Sequence, residues 1–166
     1  MSGRNRLPME DLRALVGAAG GRDVQTYIQS GNAVFRSRRS PGAVVGSLES
    51  ALESALGTRV PVLVRTRDEL ETVIDSNPFV PKGEDVGVLH VTFLGAVPSP
   101  EAVDRTGRRP VDGDEFQVIG REVYLLCPGG YGNTKLTNTF FEKKMGSAAT
   151  TRNWRTVTKL VELAQG

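Results

Sequence analysis

Apolar residues recur every three or four positions over several stretches of the chain, which is the spacing of an amphipathic helix. From Val44 to Leu56 they lie four apart, and Gly57 follows where a helix C-cap is expected. Shorter apolar runs between turn residues predict β-strands. The predicted helices cover residues 8–19, 41–56, 101–105 and 134–145, with two more after the N-caps Thr66 and Asn153; the predicted strands cover residues 24–28, 33–35, 60–64, 88–94, 116–119, 122–127 and 148–151.

The two halves of the chain repeat this order of elements. Four positions of the first half match positions 89 residues later: Gly31, Val34, Phe35 and Gly57 correspond to Gly120, Val123, Tyr124 and Gly146. Five more match positions 87 residues later: Arg65, Thr66, Leu70, Val73 and Ile74 correspond to Arg152, Asn153, Val157, Leu160 and Val161. Both halves read helix, hairpin, helix, strand, helix. Chance similarity of glycines and apolar positions is the alternative, but the agreement of spacing with element order favours a duplication.

The second half opens with a strand that the first half lacks. We therefore predict an α+β fold of two ferredoxin-like subdomains, each of βαββαβ type, with the first strand of the first subdomain missing. The predicted boundaries are residues 1–76 for the first subdomain, 77–86 for a linker and 87–166 for the second. A missing strand exposes a sheet edge that a partner can cover. We expect either a homodimer or a native chain that starts upstream of Met1.

The composition is that of an ordinary folded protein. Of the 166 residues, 39% are hydrophobic and 24% are charged, so disorder is not expected. The single cysteine, Cys127, rules out an internal disulfide and fits a reducing compartment. The stretch from Met1 to Leu12 is polar, unlike a signal peptide, and no apolar run is long enough to span a bilayer. We expect a cytoplasmic protein without membrane contact.

Charge is distributed unevenly along the chain, although the net charge is only +2. Residues 67–122 hold twelve acids and six bases, a balance of −6. Residues 135–159 hold six bases and one acid, Glu142, a balance of +5. The bases are Lys135, Lys143, Lys144, Arg152, Arg155 and Lys159. Such a block attracts an anionic partner or simply forms a solvated face.

The side chains that most often carry catalysis or bind metals are few. His90 is the only histidine and lies in a predicted strand, on the face of Thr92 and Leu94. Without a second histidine, a zinc site is improbable, and a hydrogen-bonded sheet histidine is the better interpretation. A Ser/His triad stays open, but no nucleophile-elbow motif supports it. Cys127 is expected to be a small buried residue. We predict no metal and no cofactor.

A glycine-rich loop is the more distinctive feature. Residues 129–135 read Gly-Gly-Tyr-Gly-Asn-Thr-Lys and lead from a strand end to the predicted helix at 134–145. Free backbone N–H groups at a helix N-terminus favour an anion. The loop is not a Walker motif, because the adjacent Gly-Lys-Ser/Thr is absent. A flexible turn is the alternative.

Polar residues of the block from Tyr131 to Arg155 supply the candidate site. If the helix starts at Thr134, then Lys135, Asn138 and Glu142 share one face. Thr134 and Asn153 are also candidate helix caps, and Trp154 is expected in the core. The candidate ligand-binding residues, including segments of the first half, are Arg4, Asn5, Gln29, Ser30, Asn32, Gly132, Lys135, Asn138, Glu142, Arg152 and Asn153.

Four strings in the chain strongly resemble the family known as domain of unknown function 1697. They are Thr26–Phe35, Lys135–Asn138, Glu142–Gly146 and Thr150–Val157. The resemblance extends over essentially the whole chain and implies a two-subdomain, ferredoxin-like fold in a bacterial cytoplasmic protein. It implies no activity. Members of the family begin with an apolar strand and an Arg-Gly-Ile-Asn-Val segment that are absent here, which strengthens the expectation of a missing strand.

Three hypotheses about function follow from these residues. In the first, the block binds an anionic ligand, either nucleic acid or a phosphorylated small molecule. In the second, the protein is an enzyme that uses Lys135, Glu142 and Arg152 around a small substrate. In the third, the polar residues only stabilise the fold or an oligomer interface. The sequence does not choose among them.

Overall fold

The chain forms two compact units in a computed structural model, which describes residues 7–27, 31–80, 86–107 and 112–165. The first unit contains the described residues up to Arg67 together with those from Leu160 onward, and the second contains Asp68–Lys159. Within the described ranges, no helix combines the length and the apolar character that crossing a bilayer requires.

The first unit contains two helices and a hairpin. They are α1 (Met9–Ala18), β1 (Arg22–Tyr27), β2 (Asn32–Arg36) and α2 (Pro41–Leu56). The predicted limits of α2 are confirmed, and its ends explain them. The Ser40 hydroxyl accepts a hydrogen bond from the Ala43 N–H, and Gly57 closes the helix in the left-handed conformation at φ 72°. Val16 of α1 and Leu48 of α2 meet in a small apolar core.

The predicted strand at residues 60–64 is wrong. The first unit has a two-stranded sheet of β1 and β2, and residues 60–64 lie outside any ladder of the described chain. The Val62 N–H donates to a carboxylate oxygen of Glu49 at 3.1 Å instead of to a strand. The apolar composition of this segment suits a strand, but a strand forms only where a neighbour supplies the ladder.

The second unit contains a four-stranded antiparallel sheet with helices between its strands. Its elements are α3 (Arg67–Ser76), β3 (Leu89–Leu94), α4 (Pro100–Thr106), β4 (Glu115–Ile119), β5 (Glu122–Leu126), α5 (Asn138–Met145), β6 (Ala149–Asn153) and α6 (Trp154–Gln165). The first residue of α3 and the last six of α6 fall in the first unit. From β3 to β6 the order is βαββαβ, and the strands lie in the order β4-β5-β3-β6. The central strand β3 pairs with β5 on one side and with β6 on the other.

One face of this sheet packs on α4 and α5. Leu94 and Leu125 meet Phe141 there, and all three are fully buried. Because side chains alternate along a strand, Thr92 and His90 face the same side as Leu94. Two polar side chains therefore point toward the helix layer from the middle of the central strand.

The helix predicted at 134–145 begins four residues later. Thr137, not Thr134, caps α5, and its hydroxyl accepts a hydrogen bond from the Phe140 N–H. The Thr134 hydroxyl instead accepts from the Leu136 N–H, and Tyr131–Asn133 forms a 3₁₀ turn. The predicted face of Lys135, Asn138 and Glu142 is therefore wrong for Lys135, which precedes the helix. The glycine loop does not reach a helix N-terminus.

The observed units differ from the predicted boundaries in the placement of α3. The sequence assigns this helix to the first subdomain, whereas nearly all of it groups with the second unit. Glu69 of α3 forms an ion pair with Arg121. This polar contact links positions 52 residues apart, and no local pattern in the sequence predicts it.

Two glycines associated with α2 should respond oppositely to alanine. Gly46 lies inside the helix, and an added methyl group there meets no atom within 4 Å. Gly46→Ala should stabilise the protein by about 0.5–1 kcal/mol, because alanine loses less backbone entropy. Gly57→Ala should destabilise it by roughly 1–2 kcal/mol, because Gly57 is left-handed. Urea unfolding of both variants measures the difference; equal stabilities would contradict the assigned C-cap.

Candidate functional site

A chain of hydrogen bonds ties α5 to the sheet. The Thr151 hydroxyl donates to Oδ1 of Asn138 at 2.6 Å and lies 2.7 Å from the Thr92 hydroxyl. Because Thr151 has one hydroxyl proton, Thr92 must be the donor in the second bond. Thr92 is fully buried. The Asn138 amide, a candidate ligand-binding group, thus has a partner within the fold and joins a helix to two strands.

His90 lies next along β3 on the same face and is 9% exposed. Its ring stacks on Tyr131 with centroids 4.9 Å apart and planes inclined by 25°. Burial lowers the pKa of His90, and the nearby Val88 carbonyl offsets this only in part. That carbonyl forms no hydrogen bond of normal geometry with Nδ1, which has no partner among the described residues. The predicted position of His90 in a strand is confirmed, but its Nδ1 lacks the expected partner.

The positive charge of Lys135 is compensated by Asp112, an acid that the sequence pattern did not connect with it. Its Nζ lies 2.8 Å from Oδ2 of Asp112, and both side chains are largely exposed. The hydrogen bond to Asp112, and then its charge, raise the pKa of Lys135. The ammonium group therefore stays protonated and is unsuited to act as a base or nucleophile.

The glycine loop lines a pocket of about 140 Å³ with an acidic wall. Gly129 and Gly130 form one side, and Asp112 and Asp114 form another. Carboxylates repel an anion at short range. The electrostatics of this pocket therefore oppose the anion site that the glycine pattern alone suggests.

Cys127 lies close to this pocket and is fully buried. Burial raises the pKa of its thiol, the Thr134 hydroxyl lowers it, and the charge of Asp114 raises it further. The thiolate, which is the reactive form, is therefore disfavoured. The prediction of a small buried residue is confirmed.

Arg152 lies on the opposite face of the sheet from Thr151, because the two are adjacent in β6. Its guanidinium group donates to the Thr150 hydroxyl at 2.8 Å and to the Thr151 carbonyl at 2.9 Å. Burial lowers the pKa of Arg152. Glu142 is exposed on α5, the helix that Asn138 anchors to the other face. The structure does not bring Lys135, Glu142 and Arg152 onto one surface.

The remaining candidates have structural roles or lie outside the described residues. Asn153 caps α6, as predicted, because its Oδ1 accepts from the Thr156 N–H at 2.8 Å. Asn32 belongs to the first unit, is buried, and donates to the Tyr27 carbonyl at 3.1 Å. Gly132 is exposed within the 3₁₀ turn. Those outside the described residues are Arg4, Asn5, Gln29 and Ser30.

The exposed basic side chains of the described second unit include Lys143, Lys144 and Arg155. None of them has an acidic partner among the described residues. The Lys144 ammonium lies 5.9 Å from the centre of the Phe140 ring, within the range of a cation–π contact. We call these three residues the basic patch. The charge count of 135–159 already contained them, but the choice of candidate residues favoured amides and omitted them.

The lowered pKa of His90 predicts how stability changes with pH. The neutral ring is favoured in the fold, so its contribution is complete above the unfolded value of about 6.5 and is lost as pH falls through the folded pKa. Because His90 is the only histidine, a single imidazole proton resonance reports its titration by NMR. We expect a midpoint below 6.5 and a smaller acid destabilisation in His90→Gln. A midpoint at or above 6.5 would contradict this assignment.

Comparison with known proteins places the chain in a family without an assigned activity. No protein with a curated description matches it. A solved structure, the conserved bacterial protein SP0830 from Streptococcus pneumoniae, is similar with a TM-score of 0.77 and 19% identity, covering 99% of this chain and 92% of that one. At this identity the likeness concerns the fold alone. The family model "protein of unknown function (DUF1697)" matches residues 1–124. The chain belongs to this family, and the basic patch lies beyond the matched residues.

Proposed function

We propose that the protein binds a polyanion, with nucleic acid as the leading candidate, through the basic patch of Lys143, Lys144 and Arg155. The observation that supports this proposal is the lack of acidic partners for these three exposed cations within the described chain. Lys135 is different, because Asp112 compensates its charge. Exposed cations without compensating acids attract phosphate groups and release counterions when they bind.

The spacing of the patch favours an extended ligand over a single phosphate. Lys143 and Lys144 lie in the last turn of α5, before β6, and Arg155 lies in the first turn of α6, after it. The five residues of β6 separate the two ends by roughly 13 Å at about 3.3 Å per residue. A phosphate monoester needs cations that converge on one point, whereas a nucleic-acid backbone offers charges along its length.

The enzyme hypothesis with Lys135, Glu142 and Arg152 has no supporting observation in the described residues. Lys135 is held as a cation by Asp112, and Arg152 donates to its own strand. The hypothesis of a structural role is supported for the amides. Asn138 joins α5 to the sheet and Asn153 caps α6. The proposed binding function therefore rests on the cations of the block and not on its amides.

Fluorescence anisotropy with labelled single- and double-stranded oligonucleotides tests the proposal. We expect binding at low salt whose logarithmic affinity falls linearly with the logarithm of salt concentration. Replacing Lys143 and Lys144 by glutamine should reduce the slope by roughly 1.5, since each phosphate contact contributes about 0.7–0.9. Arg155→Gln should reduce it by about half as much.

A control with the same change of charge uses two exposed arginines of the first unit. Arg13 and Arg59 are both exposed, and neither belongs to the basic patch. Their joint replacement by glutamine should leave the salt slope nearly unchanged. No oligonucleotide binding at low salt would refute the nucleic-acid version. A response to sugar phosphates or nucleotides alone would transfer the proposal to a phosphorylated small molecule.

We also propose that the two units are copies of one ferredoxin-like unit, although the described residues of the first contain no counterpart of β3. Gly57 and Gly146, which are 89 positions apart, both close a helix in the left-handed conformation, with φ 72° and 75°. Their N–H groups donate to the carbonyls of Glu53 and Glu142, which have the same separation. The hairpin of β1 and β2 then corresponds to that of β4 and β5.

The edge of β2 gives a reason to propose a homodimer. In the second unit, β3 pairs with β5 and β6 and lies between them. In the first unit, the counterpart of β5 is β2, and the described sheet ends there. Val34 and Phe35 of β2 are only half-buried, whereas their counterparts Val123 and Tyr124 have 0% and 1% exposure. A strand from a second copy would cover this edge by β-augmentation.

Sedimentation equilibrium tests the homodimer. We expect a concentration-dependent dimer that Val34→Lys weakens, because a charged side chain on a sheet edge opposes pairing. Ile119→Lys, on the exposed edge strand β4 of the other sheet, is the matched control and should leave dimerisation unchanged. Circular dichroism checks that both variants fold. A monomer at every soluble concentration would exclude this interface without bearing on nucleic-acid binding.

A further inference from the structure

We infer that residues 129–133 form a strap that closes over His90 with the Tyr131 ring and opens when the imidazole is protonated. We call this segment the strap. It lies between the end of β5 and the start of α5. The inference goes beyond the proposed binding of a polyanion, because it concerns how water and other molecules reach the only histidine of the chain.

The two ends of the strap are fixed in the core. Cys127 is fully buried, and its N–H donates to the Val88 carbonyl at 2.9 Å, next to the start of β3. Thr134 is 9% exposed. Burial raises the pKa of the Cys127 thiol, and the nearby Thr134 hydroxyl partly offsets this shift. The chain therefore leaves the core at Cys127 and returns to it beside the same residue.

The body of the strap, in contrast, is held by short-range hydrogen bonds. The Gly130 N–H donates to the Cys127 carbonyl, and the Asn133 N–H donates to the Gly130 carbonyl. The Asn133 side chain donates to the Gly129 carbonyl. Each of these bonds joins positions three or four apart, so the strap can move as a unit and keep its internal bonds. The Tyr131 ring makes the long-range contacts, with His90 and with the apolar core.

Two glycines of the strap are not required by its closed conformation. An added methyl group at Gly129 or Gly132 meets no atom within 4 Å, and neither residue has a positive φ. Gly130 differs, because its φ of 89° favours glycine in the closed form. Glycine costs backbone entropy on ordering. The unused freedom at Gly129 and Gly132 therefore supports a second backbone conformation of the strap.

His90 supplies the trigger, because the closed strap leaves its ring poorly hydrated. Its Nδ1 is inaccessible to solvent and has no hydrogen-bond partner among the described residues. Protonation places a charge in this environment and turns both ring nitrogens into donors that need acceptors. Opening of the strap supplies water to the ring. Protonation and opening therefore favour each other by linkage.

Charged neighbours do not explain the behaviour of His90. Burial lowers its pKa and the Val88 carbonyl opposes this, whereas no charged side chain of the described residues is among the causes. The side chains paired with it across the sheet, Leu125 of β5 and Asn153 of β6, carry no charge. Tyr131 is the titratable group that faces the ring. The titratable groups beside the strap are Cys127, Asp112, Asp114 and Lys135. The strap therefore responds to the imidazole and not to a nearby ion pair.

Acid opens the strap because the open state takes up the proton more readily. The hydrated ring has the ordinary pKa of about 6.5, and the pKa of the covered ring is lower. Closure is therefore complete above about 6.5 and is lost as the pH falls through the pKa of the closed state. Attraction between the Tyr131 ring and an imidazolium acts in the opposite sense. It would reverse the response only by exceeding the cost of the lost hydration.

NMR of the full-length protein tests the inference by following the ring protons of His90 and Tyr131 through a pH titration. We expect a nuclear Overhauser effect between the two rings at high pH. It should disappear on acidification with the same midpoint as the His90 titration. The amide signals of β3 and β5 should persist, because the strap opens without the sheet.

Variants separate opening from protonation. Gly132→Ala restricts the open backbone without straining the closed one, so it should lower the His90 midpoint by up to about 0.7 pH unit, a fivefold change in the equilibrium. Gly46→Ala, the same change in α2, should leave the midpoint unaltered. Tyr131→Ala should raise the midpoint toward 6.5. Tyr131→Phe keeps the ring and should leave it unaltered.

Any of four results would overturn the inference. A ring contact that persists below the midpoint would show that His90 is protonated under a closed strap. An unchanged midpoint in Gly132→Ala, which does not depend on the folding of the Tyr131 variants, would show the same. Loss of the β3 and β5 amide signals together with the ring contact would mean that acid unfolds the sheet. A wild-type midpoint at or above 6.5 would remove the trigger.

Discussion

The pairing of β3 on both sides is the constraint on which the second unit depends. A central strand is covered on both faces as well as both edges, and all six residues of β3 are buried. Such a strand is normally apolar throughout. His90 and Thr92 depart from this pattern, and each polar group in such a position needs a partner inside the protein. Thr92 has such a partner, because a series of hydrogen bonds joins it through Thr151 to Asn138. Since Asn138 belongs to α5, these hydrogen bonds link the position of α5 to the sheet.

Local elements could be predicted from the sequence, and their long-range relations could not. The limits of α2 are confirmed because Ser40 and Gly57 mark its ends within the helix's own sequence. The start of α5 was misplaced because Thr134 and Thr137 are equally plausible caps, and the choice depends on the 3₁₀ turn that precedes them. The same error put Lys135 on a helix face. Its true partner, Asp112, lies 23 positions earlier and beyond the reach of periodicity.

The candidate site changed for a related reason. Residue types suggest what a side chain can do, whereas its partners in the fold decide what remains available for a ligand. The amides Asn138 and Asn153 were attractive as ligand contacts, but the helix and the sheet use both. The count of charges was correct for residues 135–159, but it did not show that Asp112 compensates Lys135, whereas Arg155 has no acidic partner among the residues that the structure describes. The acids beside the glycine loop likewise disfavour the anion that its backbone pattern suggests.

The two halves of the chain show that a strand is a property of pairing as much as of sequence. Residues 60–64 have a composition that suits a strand, yet the Val62 N–H binds the Glu49 carboxylate. The segment β6, in contrast, forms a regular ladder, because β3 lies beside it. Val34 and Phe35 of β2 are only half-buried, and in the described sheet β2 pairs with β1 alone. If a further strand paired with β2 on one side and with residues 60–64 on the other, residues 60–64 should gain a ladder, with no change in the sequence of either segment.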